Sequence, residues 1–247
     1  MAFGTDKNSQ PLVSIITVVY NNQSGIEKTM RSVIEQSYKQ IEYIIIDGGS
    51  TDGTVETIKK YAGHITQFIS EPDQGIYDAM NKGLALATGS LIGIINSGDF
   101  YEAHAIQKVV ETYLQKPEFA VYHAVLRVFS IDKKLERIIG NSSTFLPTGM
   151  IQHPTCFVTK KAYNQYGSFS LDYKSSSDYD FMLRLRQQGA KFLFIESILA
   201  NFYEGGISSN KIALLETLQI RAKYGLISKL KKNLMLTFIN IRTALAK

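Results

Sequence analysis

The sequence predicts an α/β domain built on a mainly parallel, Rossmann-like central sheet with helices on both faces. Three observations carry this. Short apolar, β-branched runs alternate with segments of helical spacing, in the order βαβαβαβ as far as Ile95. Two of those runs end in acid beside a glycine-containing turn: Tyr43-Ile44-Ile45-Ile46-Asp47 before Gly48-Gly49-Ser50-Thr51-Asp52-Gly53, and Leu91-Ile92-Gly93-Ile94-Ile95-Asn96-Ser97-Gly98-Asp99. Open parallel sheets place ligands at that carboxyl edge. Finally, 247 residues at 45% hydrophobic suffice for one large domain, or one domain plus an appendage.

Leu12 to Tyr20 is an apolar, β-branched run and reads as a buried strand. Ile26, Met30, Val33 and Ile34 recur at helical spacing, and Ile41 to Ile46 is strand again. Val55, Ile58 and Tyr61 are helical, Ile65 to Ile69 a short strand, Tyr77 to Ala87 a helix and Leu91 to Ile95 a strand. After a helix over Ala105 to Leu114 the order changes. Ala120 to Phe129 and Leu135 to Ile139 read as a hairpin or meander, Asp178 to Gln187 as a helix, and Lys191 to Ile195 and Ile198 to Tyr203 as two strands.

The net charge of +5 is uneven. From Ser208 to Lys247 there are eight Lys or Arg and one acid, leaving 19 basic and 21 acidic residues before it. The basic character therefore belongs to the tail. The single cysteine, Cys156, excludes an intrachain disulfide and suits a reducing compartment, most simply as a buried small hydrophobe. Met1 to Gln10 is polar without a signal-peptide core, and no run of about 18 apolar residues reads as a membrane span.

Several phosphate and nucleophile chemistries are excluded. The first strand runs into Tyr20-Asn21-Asn22-Gln23, without the glycines of a dinucleotide fingerprint. Gly48 and Gly53 have P-loop spacing, but Thr54 stands where the phosphate-binding lysine is needed. There is no Gly-x-Ser-x-Gly elbow, and one cysteine with four scattered histidines does not make a structural zinc site.

Five motifs in order resemble the family 2 glycosyltransferases: Pro11 to Asn21, Asp47 to Thr54, Gly75-Ile76-Tyr77-Asp78-Ala79-Met80-Asn81-Lys82-Gly83, Asn96-Ser97-Gly98-Asp99, and Ser177-Asp178-Tyr179-Asp180-Phe181-Met182-Leu183-Arg184. The likeness covers about residues 11 to 205. It implies a GT-A fold, a nucleotide-sugar donor, a divalent metal (Mn²⁺ or Mg²⁺) and inversion at the anomeric carbon. The Gly-Ile-Tyr-Asp-Ala-Met-Asn version looks like bacterial transferases that build surface polysaccharides. The expected layout is a GT-A catalytic domain over residues 11–207, with a nucleotide-sugar half at 11–100 and an acceptor and base half at 101–207, followed by a helical basic extension at 208–247.

Such transfer must stabilise a departing diphosphate and activate an acceptor hydroxyl. A hard cation meets the first need through one or two carboxylates plus substrate phosphates. The resemblance makes Asp99 the metal ligand; Asn96 and Gly98 occupy the positions where the family usually has Asp-x-Asp. The alternative for Asp99 is a turn cap. Tyr20, Asn21, Asp47, Gly48, Asp78 and Asn81 are the expected donor-binding residues. Gly48 stands where the family often has a base-reading Asp, so uridine specificity does not carry over directly. Tyr20 stacks on the base or belongs to the core. Asp78 and Asn81 share a helix face that reaches the donor or is merely polar. Asp52 is read as a helix N-cap.

On a helical wheel Asp178 falls over Phe181, Met182 and Leu185, whereas Asp180 falls on the opposite side within reach of Arg184. Asp178 is therefore the expected general base and Asp180 a structural residue; the alternative for Asp178 is a helix-dipole partner. The resemblance places His153, in Ile151-Gln152-His153-Pro154-Thr155, beside the acceptor site; the alternative is a hydrogen-bonded core or loop histidine.

In the tail Leu226, Leu230, Leu234, Phe238, Ile241 and Leu245 form a stripe, with Lys229, Lys231, Lys232 and Arg242 at other angles. A basic amphipathic helix reads as membrane-surface binding; the alternative is packing on the body or a second subunit. The expected partners are a nucleotide sugar, a glycan or lipid-linked glycan acceptor and an anionic membrane surface, with no nucleic acid. The expected location is cytoplasmic, peripheral to the inner face of the cell membrane. Two other readings remain at this stage: a nucleotide-sugar-binding scaffold that has lost catalysis, prompted by the depleted acidic motif, and a nucleotidyltransferase.

Overall fold

A computed structural model describes residues 10–130, 136–204 and 211–245, with side chains described as far as residue 239. The first half follows the expected alternation. β1 (Val13–Val19), α1 (Gln23–Ile34), β2 (Ile41–Asp47), α2 (Thr54–Lys59), β3 (Gln67–Ser70), α3 (Ile76–Leu86) and β4 (Leu91–Asn96) form the parallel sheet β3-β2-β1-β4. Every residue of β1 is buried, which explains why five of its seven residues are Val or Ile.

The second half extends the same sheet. β5 (Phe100–Tyr101), α4 (Ala105–Gln115), β6 (Val121–Phe129), β7 (Glu136–Ile139), β8 (Phe157–Thr159), α5 (Lys160–Tyr166), α6 (Ser177–Gln187) and β9 (Phe192–Tyr203) complete the order β3-β2-β1-β4-β8-β6-β9-β5. β8 runs antiparallel to both β4 and β6, so one continuous sheet joins the two halves. The expected hairpin is the antiparallel pair β6–β7; its connecting residues 131–135 lie outside the described segments. The two strands expected over Lys191 to Tyr203 are one long strand, parallel to β6, with a bulge near Ile195 to Ile198.

Side-chain alternation sends the apolar residues to two cores. Ile15, Tyr43, Ile45 and Ile95 pack under α1 and α4, with Ile26, Met30, Ile106 and Val109. Ile16, Ile44, Ile46 and Ile94 pack under α3 and α6, with Met80, Leu84, Phe181 and Leu185. These are the helices on both faces. Asp52 does not occupy the N-cap of α2. That place is held by Gly53 in the left-handed region (φ 95°), and Asp52 accepts the Thr54 N–H (3.0 Å) one residue earlier.

After residues 205–210, outside the description, come α7 (Lys211–Lys223) and α8 (Lys229–Leu245). α7 joins the body: Ile220 enters the core under α6, and Ala213 and Leu218 are buried. α8 does not follow it: Leu230 is 71% exposed, Leu234 63% and Phe238 66%. The Ile241, Arg242 and Leu245 side chains of the expected stripe lie outside the described residues. Among the described residues no helix is long and apolar enough to cross a membrane.

Candidate active site

The parallel strands end side by side, with Val18 paired to Asn96 and Val19 to Asp47. The loops beyond them, with α3, α6 and the end of β9, enclose a cleft of about 780 Å³. Tyr20, Asn21, Asp99, His153 and Asp178 line it, as do Asp73, Asn96, Ser97, Tyr77, Ser175 and Tyr203. Among the described residues three carboxylates thus face one cleft, and none of those lining it is Lys or Arg.

The turn carrying Asp99 is held from beneath by α1. Gly98 takes φ 103°, a conformation side-chain-bearing residues rarely adopt. Thr29 Oγ1 accepts the Gly98 N–H (2.9 Å) and donates to the Asp99 carbonyl (2.7 Å). Asn22 donates to Ser97 at both carbonyl (3.1 Å) and hydroxyl (3.0 Å), while its own oxygen caps α1 through Gly25 N–H (3.1 Å). Asp99 is only 6% exposed, and burial pushes its carboxyl up to about 8, opposed by a main-chain hydrogen bond from Tyr203. Beside it the Asn96 Oδ1 atom is buried without a protein partner.

Across the cleft, Asp178 opens α6 and accepts a 2.8 Å hydrogen bond from the Tyr77 hydroxyl of α3. Tyr77 is pushed far above the ordinary phenol value, first by burial and then by the Asp178 charge. Burial lowers His153 below the usual imidazole value, and the Asp178 charge works against that. The His153 ring stands edge-on to Phe169 at 6.0 Å. Tyr20, 65% exposed at the rim, is not a core aromatic. Asn21 (φ 45°) ties two loops together: its N–H donates to Ser50 Oγ and its Oδ1 accepts Thr51 N–H, both at 2.8 Å.

Four expected donor residues stand elsewhere. Asp47 is fully buried and its carboxylate is occupied by its own turn, accepting from the N–H groups of Gly49 and Ser50 and the hydroxyls of Ser50 and Ser70. Gly48 does not line the cleft; it lets the backbone pass close beneath Asp73 and Tyr20, where a Cβ would collide with the Asp73 carboxylate. Asp78 accepts Gln74 N–H (3.0 Å) and lies 3.6 Å from Lys82, outside the cleft. Asn81 clasps the main chain of Phe169, donating to its carbonyl (2.9 Å) and accepting its N–H (3.0 Å).

Asp180 also departs from the helical wheel. It is 2% exposed because α7 covers that side of α6. Lys223 Nζ lies 2.7 Å away and Tyr224 donates to the carboxylate at 3.2 Å, while Arg184 is more distant at 4.0 Å. Cys156 is buried, as expected, with its thiol raised by burial. Asp73 was missed. It follows β3 at the same sheet edge, and Glu71-Pro72-Asp73 repeats the signal of a strand ending in acid.

Comparison with known proteins accords with this geometry. The profile of Glycosyl transferase family 2 matches residues 14–178. An uncharacterized glycosyltransferase of Mycobacterium tuberculosis is 31% identical over 208 residues, covering 82% of this chain and 79% of the relative. The hyaluronan synthase of Pasteurella multocida is 30% identical over 78% of this chain but only 20% of its own length. Among solved structures, Staphylococcus aureus TarS 1–349 with UDP-GlcNAc superposes with a TM-score of 0.69 at 16% identity, covering 90% of this chain and 69% of that one. A Pyrobaculum calidifontis mannosyltransferase with GDP-Man and Mn²⁺ also gives 0.69 at 16% identity, covering 91% and 67%. These likenesses show the GT-A fold, and the profile and the 31% identical relative show the family: the chain belongs to glycosyl transferase family 2.

Proposed function

We propose that the protein transfers a sugar, with inversion, from a nucleoside-diphosphate donor to a glycan or lipid-linked glycan acceptor in surface polysaccharide synthesis. One observation carries this reading: Asp99 and Asp178 face a single cleft at the carboxyl edge of the parallel strands. A uridine donor is the first candidate. A structural neighbour bound to UDP-GlcNAc supports that choice, and a neighbour bound to GDP-Man makes guanosine the comparison.

The residues fit a divalent ion. Asp99 is a buried carboxylate in a cleft lined, among the described residues, by two further acids, so a positive charge there favours its ionised form. A divalent ion of this kind uses one or two carboxylates and fills its shell with substrate phosphates and water. Asp99 would hold Mn²⁺ or Mg²⁺, and the bound ion supplies charge to the departing diphosphate. Tyr20 offers its ring to the base at the rim. Asp178 takes the proton of the acceptor hydroxyl as its oxygen bonds to the anomeric carbon and the bond to the diphosphate breaks. Tyr77 holds the Asp178 carboxylate in place, and His153 borders the acceptor side.

The exposed Leu230, Leu234 and Phe238, with Lys229, Lys231 and Lys232 on the same helix, support peripheral binding at the cytoplasmic face of the membrane. Screening nucleotide sugars for Mn²⁺-dependent thermal stabilisation tests the donor reading, since a ligand at 100 times its Kd adds about 2.7 kcal/mol. A set of UDP- and GDP-sugars that all leave the transition unmoved, with and without metal, contradicts it.

A further inference from the structure

α7 lies beyond the segment matched by the family profile, yet it grips the chain that enters α6. Glu216 is the only acid among the last 40 residues, and it is 8% exposed. Its two oxygens accept two successive main-chain N–H groups, Lys174 at 2.7 Å and Ser175 at 2.8 Å. Ser176 Oγ donates to the Ala213 carbonyl of the same helix at 3.2 Å. Farther along, Lys223 and Tyr224 hold Asp180. The tail is thus bonded to residues 174, 175, 176 and 180, on both sides of Asp178, and Ser175 and Asp178 both line the cleft.

A carboxylate accepting two adjacent amides fixes a loop in one place, because charge-assisted bonds are roughly twice as strong as neutral ones. An amide side chain has a single acceptor oxygen and turns an NH₂ group toward the second N–H. We propose that Glu216 is a positioning residue: it sets the placement of Ser175 and Asp178, making α7 part of the active site. This rests on the reading of Asp178 as the base, but the juxtaposition has a consequence independent of turnover. The Asp178 charge raises the His153 pKa against the effect of burial, so His153 reports where Asp178 stands.

The test is a histidine-selective NMR titration of the full chain and of the Glu216→Gln and Asp178→Asn variants. His153 is assigned by substitution among the four histidines. The expected result is that Glu216→Gln lowers the His153 pKa in the same direction as Asp178→Asn, with faster amide exchange at Lys174 and Ser175. Mn²⁺-dependent UDP affinity, measured by calorimetry, should stay at the wild-type value. A folded Glu216→Gln with wild-type His153 titration and wild-type exchange at those amides overturns the proposal. If Glu216→Gln does not fold, Glu216→Asp keeps the charge, withdraws it by one methylene, and is judged by the same two readouts. Failure of the wild type to bind UDP or GDP counts against the donor reading instead and leaves the NMR comparison to decide the role of Glu216.

Discussion

Replacing Asp99 by Asn should stabilise the ligand-free protein while removing its metal-dependent donor binding. The carboxyl rises from an ordinary 3.8 to about 8 on folding because burial disfavours its charge. Between these values the folded chain keeps a proton that the unfolded chain releases, so stability falls as pH rises through the window. It is fully present below 3.8 and the loss is complete once the pH passes about 8. At about 1.36 kcal/mol per pH unit, the cost at pH 7 is on the order of 4 kcal/mol, an upper bound because local relaxation reduces it. Asn has nearly the same shape and no charge. Urea unfolding in chelator should show Asp99→Asn ahead of the wild type, by a margin that widens by up to about 4 kcal/mol from pH 5 to pH 8. The same variant should show no Mn²⁺-dependent gain in UDP affinity by calorimetry. A margin independent of pH would refute the electrostatic argument, and an undiminished metal effect would refute the ligand role.

Other outcomes follow from the same contacts. Asp180→Asn should lower stability by about 1–3 kcal/mol, because it weakens the bond to Lys223 and the hold on Tyr224; denaturant titration measures it, and donor affinity should not change. Gly48→Ala should displace Asp73 and disturb the Tyr20 rim, weakening UDP binding while the unfolding midpoint moves little; unchanged affinity would show that this rim does not touch the nucleotide. The protein should bind anionic phosphatidylserine vesicles at low salt and leave them at 1 M salt, where the Debye length is about 3 Å. Leu230→Ser with Phe238→Ser should abolish that binding, and binding that survives would place the contact elsewhere.

The parallel half was legible because β1, β2 and β4 are buried on both faces, so each reads as a mostly apolar, β-branched run between helical segments. The short pieces were not: β5 has two residues and β8 three, too few to show a period. The parallel pairing of β6 with β9 joins residues about 70 apart, and a bulge hid that β9 is one strand. In the site, the strand-end carboxylates looked alike in sequence. Asp47 is occupied by hydroxyls from Ser50 and Ser70, whereas Asp99 is met by the main chain of Tyr203 and faces the cleft. Asp180 misled the helical wheel because a wheel places only the core, and the lid over its far face is a helix some 40 residues later. Asp78 and Asn81 do sit on one helix, but one caps a turn and the other clasps Phe169, partners with no signal in local spacing.

The division of labour between the two carboxylates is tested most directly by Asp178→Asn. Donor affinity and release of nucleoside diphosphate should be measured together, with UDP-GlcNAc and GDP-Man in the presence of Mn²⁺. If Asp178 removes the acceptor proton, turnover should fall by about 10²–10⁴-fold while donor affinity stays at the wild-type value. Wild-type turnover in a folded Asp178→Asn protein, or a loss of donor affinity that accounts for the whole defect, would contradict the account.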